Sequence, residues 1–210
     1  MSALFVWPKN VVAAMVARYL VTMEAIRQYF NQLVPLEAAE WEAFAACLTK
    51  RTVKRKEKIL QLGQVCNEVS FIESGSFRFF HEREDGSEWV TAFFFAGDFV
   101  TNYRSVITNQ PSSHHIEAMQ DAVILSIQKA DLFRLYLEFH ALDRLGRRIA
   151  EGLYLTVAHR LDSFLYESPE ERYEGLLQRN SRLLNEVPQY MIASYLGVKP
   201  ETLSRIRARR

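Results

Sequence analysis

Between Thr49 and Gln128 the apolar residues come in short runs cut by glycine-bearing turns, while on either side they recur at spacings of three and four. Short runs divided by turns suit strands, and three-and-four spacing suits one face of a helix. A chain patterned this way places a layered β-structure between two helical parts. Ile59-Leu60 precedes Gly63, and Val69–Ile72 precedes Glu73-Ser74-Gly75-Ser76. Phe77–His81 runs up to Glu84-Asp85-Gly86-Ser87, where Asp-Gly accepts the positive φ of a hairpin turn. Trp89–Phe95 ends at Ala96-Gly97-Asp98, and His115–Met119 and Ala122–Ile127 complete the set. This spacing predicts a β-sandwich or β-roll.

The flanking helices carry further information. From Met23, Ile26, Tyr29, Phe30 and Leu33 mark one apolar face until Pro35, and Trp41, Phe44, Ala45 and Leu48 resume it. After Lys129 the helical period returns, and Leu142, Leu145, Ile149, Leu153, Val157, Leu161 and Phe164 form one narrow seam with no proline before Pro169. A helix of that length exceeds what a β-roll needs, so the seam predicts pairing with a second copy of the chain. Ser168-Pro169-Glu170-Glu171 joins a capping serine, a proline suited to the first helical position and a glutamate three residues after the cap, which marks a boundary near Ser168.

The C-terminal segment is the most specific. Pro188 opens one short helix with Ile192 and Leu196 toward its core and the small Ala193 where a second helix must cross closely. Gly197 supplies a tight turn, and Pro200 opens a second helix with Leu203 and Ile206 buried. Glu201, Thr202, Ser204, Arg205 and Arg209 then face outward. Short polar and forked cationic side chains near the start of such a helix suit the major groove of double-stranded DNA. Arg205 has the reach for a bidentate bond to guanine, and Glu201 can accept from cytosine. Gln189, Thr202 and Ser204 suit phosphate contacts, which set register rather than sequence, and Lys199 and Arg209 complete the DNA-binding set.

Bulk composition agrees. The chain is 49% hydrophobic and 24% charged, which excludes a mainly disordered polymer. Net charge is only +1, yet Leu196–Arg210 holds five basic residues (Lys199, Arg205, Arg207, Arg209, Arg210) against Glu201. A local basic end on a near-neutral protein suits phosphate. Cys47 and Cys66 form neither a Cys-x-x-Cys pair nor a disulfide framework, so a reducing, cytoplasmic setting is expected. The apolar stretch Val11–Ala17 is too short to span a bilayer and is followed by Arg18, so residues 1–22 read as an N-terminal extension and no membrane role is expected. No phosphate-cradling glycine loop, His-Glu-x-x-His or nucleophile elbow is present, so no catalytic or metal-ligating residues are assigned and an enzyme is not expected.

In order, these parts resemble the regulators of the cyclic-AMP receptor protein and Fnr family over residues 23–210. The strongest likeness is Leu196-Gly197-Val198-Lys199-Pro200-Glu201-Thr202-Leu203-Ser204-Arg205-Ile206, which resembles the family's recognition helix. Glu201 and Arg205 fall on its base-reading positions, whereas Pro200 replaces the arginine that the cyclic-AMP receptor has before the glutamate. The resemblance implies an α+β chain in four parts: the extension at 1–22, a double-stranded β-helix with flanking helices at 23–137, a long dimerisation helix and hinge at 138–167, and an all-α helix-turn-helix domain at 168–210. It implies a homodimer on DNA, with RNA polymerase and a small-molecule effector as further partners.

In the nucleotide-binding members a Gly-Glu pair holds the ribose and an Arg-Ser pair the cyclic phosphate. Gly97-Asp98 is assigned to the first pair and Ser112-Ser113 to the second, so the phosphate-binding arginine is missing. Without a guanidinium a buried cyclic phosphate loses its main charge partner, so a cyclic nucleotide is disfavoured unless Arg104 substitutes. An iron–sulfur cluster needs about four thiolates, and two are present. The haem-ligand candidates are His81, His114, His115, His140 and His159, of which the adjacent His114-His115 pair reads better as surface or core histidine. A competing expectation is a ligand-binding or interaction module that does not read DNA.

Overall fold

The computed structural model describes residues 22–179 and 182–209. The extension expected over 1–22 therefore lies outside the described residues except for Thr22, as does Arg210. Helix α1 (22–33) and α2 (Ala38–Ala46) precede the β-structure. The strands are β1 (Thr49–Val53), β2 (Lys58–Leu60), β3 (Glu68–Ser74), β4 (Ser76–Glu82), β5 (Glu88–Phe95), β6 (Phe99–Val100), β7 (His115–Ala118) and β8 (Ala122–Gln128), with α3 (Tyr103–Thr108) between β6 and β7. The helices α4 (Lys129–Glu138), α5 (His140–Tyr166), α6 (Pro169–Arg179), α7 (Arg182–Glu186), α8 (Gln189–Leu196) and α9 (Pro200–Ala208) follow.

The strands form two four-stranded antiparallel sheets, in the orders β1-β8-β3-β6 and β2-β7-β4-β5. Successive strand residues point to opposite faces, and β3 shows the consequence. Ile72 joins Val53, Phe77, Ile116 and Ile124 in one core cluster, whereas its neighbour Phe71 packs with Phe30, Phe44 and Leu135 of the helices. β1 and β6 were not legible in the sequence. β1 buries only Val53 of its five residues, and β6 is two residues long. Neither carries a periodic signal. The same holds for α3, whose six residues start at Tyr103 and are capped by Asn102, the side chain of which accepts from the Ser105 amide at 3.2 Å.

The expected helix over 138–167 is corrected in two respects. The chain breaks at Phe139 (φ −131°, ψ 110°), so the helix begins at His140. The first part of the seam is also internal. Leu142 and Leu145 are buried with Ile26, Phe44 and Leu135, and Ile149 packs against them. Only the later part, Leu153, Val157 and Leu161, joined by Tyr154 and Leu165, is exposed. The break at Phe139 folds α4 back on α5, and that contact consumes the N-terminal turns of the seam.

The capping box expected at Ser168 forms through reciprocal bonds. The Ser168 amide donates to Glu171 Oε2 at 2.7 Å, and the Glu171 amide donates to Ser168 Oγ at 3.2 Å. These bonds hold the Glu171 carboxyl below its ordinary range. Beyond it, Tyr173, Leu176, Leu183, Val187, Ile192, Ala193, Leu196, Leu203 and Ile206 make a separate cluster, which Phe95 of β5 also joins. No helix among the described residues is long and apolar enough to cross a membrane.

Candidate functional site

Two sites were expected, one on α8–α9 and one in the β-roll. In the first, α8 ends at Gly197, which adopts φ +70°. The Val198 amide donates to Ala193 O at 3.0 Å, and the Gly197 amide to Ser194 O at 3.1 Å. Such bonds close a helix whose terminal residue is left-handed, a conformation that costs a side-chain-bearing residue. Lys199 precedes α9 with Pro200 in its first turn, and Leu203 and Ile206 bury the helix against the domain core.

The opposite face of α9 is open. Glu201, Ser204, Arg205 and Arg209 are exposed, as are Gln189 at the start of α8 and Lys199, while Thr202 is half-buried. Glu201, Arg205 and Arg209 are spaced by four and so share a face. Arg205 Nε donates to the carbonyl of Glu201 at 3.4 Å, within its own helix. Arg209 instead pairs with Glu170 of α6 at 3.6 Å. The seven predicted contacts thus lie on one short pair of helices, with Arg209 held partly by its own chain.

The sequence reading missed how this pair is seated on the β-roll. Ser194 Oγ accepts from the Val90 amide at 3.0 Å and donates to the Glu88 carbonyl at 3.1 Å, so one hydroxyl satisfies both backbone groups of the edge strand β5. The rings of Phe93 and Tyr195 lie 5.6 Å apart. From α5, the Arg160 guanidinium sits 3.6 Å from the centre of the Tyr195 ring and donates to the Tyr195 carbonyl at 2.7 Å. Arg172 of α6 donates to Leu196 O at 3.2 Å and to Glu167 O at 2.7 Å. Phe164 lies beneath both guanidiniums and against Gly197, where an added Cβ would come within 2.9 Å of the ring. Serine and arginine in amphipathic helices read as ordinary surface residues, so only tertiary contact reveals these roles.

The second site is a cavity of about 430 Å³ lined by Phe79 of β4, residues of α3, the 110–114 loop and Val157 of α5. Arg104 of α3 lines it, as do Ser113 and His114. Ser112 is buried just behind, accepting from Asn102 Nδ2 at 2.7 Å and donating to the His114 carbonyl at 2.7 Å.

Gly97 and Asp98 are not among the lining residues, which corrects the expected ribose pair. The Asp98 amide and carboxylate close the turn after β5, bonding the Phe95 carbonyl at 2.9 Å and the Phe95 amide at 2.8 Å. The Gly97 amide donates to Ile72 O at 2.9 Å. The pair is occupied in joining β5 and β6 to β3, and the cavity is entered instead by Asn102 and Arg104 a few residues later.

His115 is buried and satisfied, with Nδ1 accepting from the Leu62 amide at 3.1 Å and Nε2 near Glu82 at 3.4 Å. His114 stacks on Phe79 with ring centres 4.5 Å apart. Burial first, then the positive neighbours His81, Arg104 and His115, lower the His114 pKa. Among the described residues, no three His, Cys, Asp or Glu side chains gather as a metal site. Cys47 closes α2 with its thiol 3.4 Å from the Ala43 carbonyl, and Cys66 is buried.

Residues 50–139, which hold this β-roll, match the family of the cyclic nucleotide-binding domain. Over its larger extent the chain has the fold of the Crp/Fnr transcription regulators. FixK2 from Bradyrhizobium japonicum is similar with a TM-score of 0.66 at 19% identity, covering 77% of this chain and 83% of that one. A putative transcriptional regulator of the Crp/Fnr family from Eubacterium rectale gives 0.65 at 16% identity, covering 83% of each chain. The c-di-GMP-responsive global regulator CLP of Xanthomonas campestris gives 0.62 at 18% identity, covering 82% of this chain and 91% of that one. No curated protein matches the sequence.

Proposed function

We propose that this chain is a sequence-specific DNA-binding transcription regulator of the cyclic-AMP receptor/Fnr type. It acts as a homodimer and is not an enzyme, and its β-roll senses a small molecule other than cyclic AMP. The observation that carries the reading is the exposed polar face of α9, with Glu201, Ser204 and Arg205 opposite the buried Leu203 and Ile206. A helix so divided is seated by its apolar side and free to enter a groove by the other.

Dimerisation follows from the exposed stripe on α5, and two recognition helices related by a two-fold axis would read half-sites about one helical turn, roughly 10 base pairs, apart. RNA polymerase is the partner that a DNA-bound regulator of this type would engage. The contacts of Arg160, Phe164 and Arg172 with the end of α8 give a route from α5 to the recognition helix. A change in the β-roll that moves α5 would reorient α9.

The test is binding to duplexes selected from a random pool, titrated with salt. Log affinity should fall steeply with log salt, because phosphate contacts release counterions. Arg205→Ala should lose about 1–3 kcal/mol at particular base pairs, and Lys199→Ala should weaken binding evenly across sequences. Absence of binding to any duplex at low salt would show an interaction module instead.

A further inference from the structure

Three histidines, His81 of β4 and the adjacent His114 and His115, meet at the start of β7, and a proton affects their hydrogen bonds differently. His81 Nδ1 lies 2.7 Å from the Ser113 carbonyl. A carbonyl only accepts, so this nitrogen already carries a hydrogen, and protonating the ring leaves the bond in place. His114 Nδ1 lies 2.9 Å from Ser113 Oγ, a hydroxyl that can donate or accept. His115 is the exception. Its Nδ1 accepts from the Leu62 amide at 3.1 Å, and an amide N–H only donates. Nδ1 is therefore bare, the ring is neutral, and its hydrogen sits on Nε2, 3.4 Å from Glu82 Oε2. A second proton can go only to Nδ1, where it faces the Leu62 N–H.

The ring is fixed where this conflict arises. His115 is buried in β7 and pairs in register with Phe80 of β4, their ring centres 5.0 Å apart. Charged groups reach it from three strands. Burial and Lys58 of β2 oppose a positive imidazole, and Glu82 of β4 and Glu117 of β7 favour one. Arg78 lies 4.0 Å from the centre of the same Phe80 ring, with Glu88 and Glu117 as its partners, and His114 is the neighbour along the chain. Burial outweighs the carboxylates and holds the His115 pKa below the ordinary histidine value.

Leu62 belongs to a turn that supports the cavity wall. The Gln61 amide donates to Gln64 Oε1 at 3.0 Å and the Gln64 amide to Gln61 O at 3.0 Å, so residues 61–64 form one unit. That unit is tied to Ser112 by a reciprocal pair, in which the Gly63 amide donates to Ser112 O and the Ser112 amide to Gln64 O, both at 2.8 Å. Ser112 leads directly into Ser113 and His114, which line the cavity together with Val157 of α5.

We propose that His115 is a proton-operated latch: a proton taken up at Nδ1 expels the Leu62 amide and displaces the 61–64 turn with Ser112, so that acidification reshapes the wall of the β-roll beside α5. The proton is then a ligand of this domain, bound at one defined nitrogen and read by one backbone bond. Its consequence for DNA rests on the reading of the β-roll as a sensor.

Nitrogen-15 NMR of the full-length protein from about pH 8 to about pH 5 follows the His115 ring and the Leu62 amide together. As the ring takes up its proton, protection of the Leu62 amide against hydrogen exchange, corrected for the intrinsic rate, should fall about tenfold or more. Gly63 and Ser112 should lose less, and the Ile72 amide, bonded to the Asp98 carbonyl at 3.0 Å, should keep its protection. Glu82→Gln should lower the pH of the transition and Lys58→Gln should raise it, because each removes one charge facing the ring. His115→Gln, whose carboxamide oxygen accepts from the Leu62 amide and takes no proton, should abolish it. The two charge variants keep His115 and test the latch whether or not His115→Gln folds. Constant protection at Leu62 while His115 titrates overturns the latch. So does a ring that stays neutral to about pH 5, or a transition that ignores both charge variants and follows His81 or His114.

The link to DNA is read separately, as affinity for a selected duplex above and below the transition. A Leu62 transition without a His115-dependent change in DNA affinity upholds the latch and removes its link to the recognition helix. Absence of DNA binding at either pH overturns the regulator reading and leaves the latch standing.

Discussion

Leu161→Asp on α5 tests the dimer most directly. Leu161 is 58% exposed, within a stripe that includes Tyr154 (71%), Val157 (60%) and Leu165 (62%). Fully burying a leucine side chain is worth about 1.5–3 kcal/mol. Covering the exposed part of Leu161 is then worth about 1–2 kcal/mol, and a two-fold axis doubles this to about 2–4 kcal/mol per dimer. The substitution removes that term and adds the desolvation of two carboxylates, so the dimer should dissociate at least about thirtyfold more readily. Sedimentation velocity over a concentration series measures the shift, and circular dichroism checks that the protomer remains folded. Arg144→Asp, on the same helix but outside the stripe, should leave the association constant unchanged. An unchanged dimer in Leu161→Asp would show that this face is not the interface, and the two-half-site geometry built on it would fall.

Three further outcomes follow from the contacts. Gly197→Ala should destabilise the C-terminal domain by about 1–2 kcal/mol from the left-handed backbone alone, and more through the 2.9 Å approach to Phe164; thermal melts of the full chain read it. Ser194→Ala should cost about 1 kcal/mol of the docking onto β5, raising hydrogen exchange of the Val90 amide about fivefold, and an unchanged rate would show that the hydroxyl contributes nothing. His114 and His115 both have folded-state pKa values below the ordinary histidine value, burial being the first cause in each. The unfolded chain therefore takes up protons first, so their contribution is intact above about pH 6.5 and is lost as pH falls toward the folded values. Urea midpoints should drop across that window, and the drop should shrink in His114→Gln.

How much the sequence revealed depended on whether a residue's role was local. The turn at Gly197, the capping pair Ser168–Glu171 and the buried pair Leu203–Ile206 act on neighbours within a few positions, so spacing and residue type suffice to find them. The hairpin at Asp85-Gly86 is legible for the same reason: the Arg83 amide donates to Ser87 O at 2.9 Å across it. Strand β1 was not legible, because an edge strand with one buried residue has little periodicity to read. Gly97-Asp98 misled, since a Gly-acid pair after a strand fits both a ribose site and a turn closure. Only the bonds to Phe95 and Ile72 decide between them.

By itself, then, the sequence determined the order of helical and β parts, the helix-turn-helix and the outward set Glu201, Ser204 and Arg205, because all of these follow from period and turn chemistry along the chain. Tertiary structure decided how the seam of α5 divides between internal core and exposed stripe, that Ser194 clasps the edge of β5, and that Arg104 lines one cavity with Phe79 and His114. Those are relations between residues distant in the chain, and they arise only when folding brings their surfaces together.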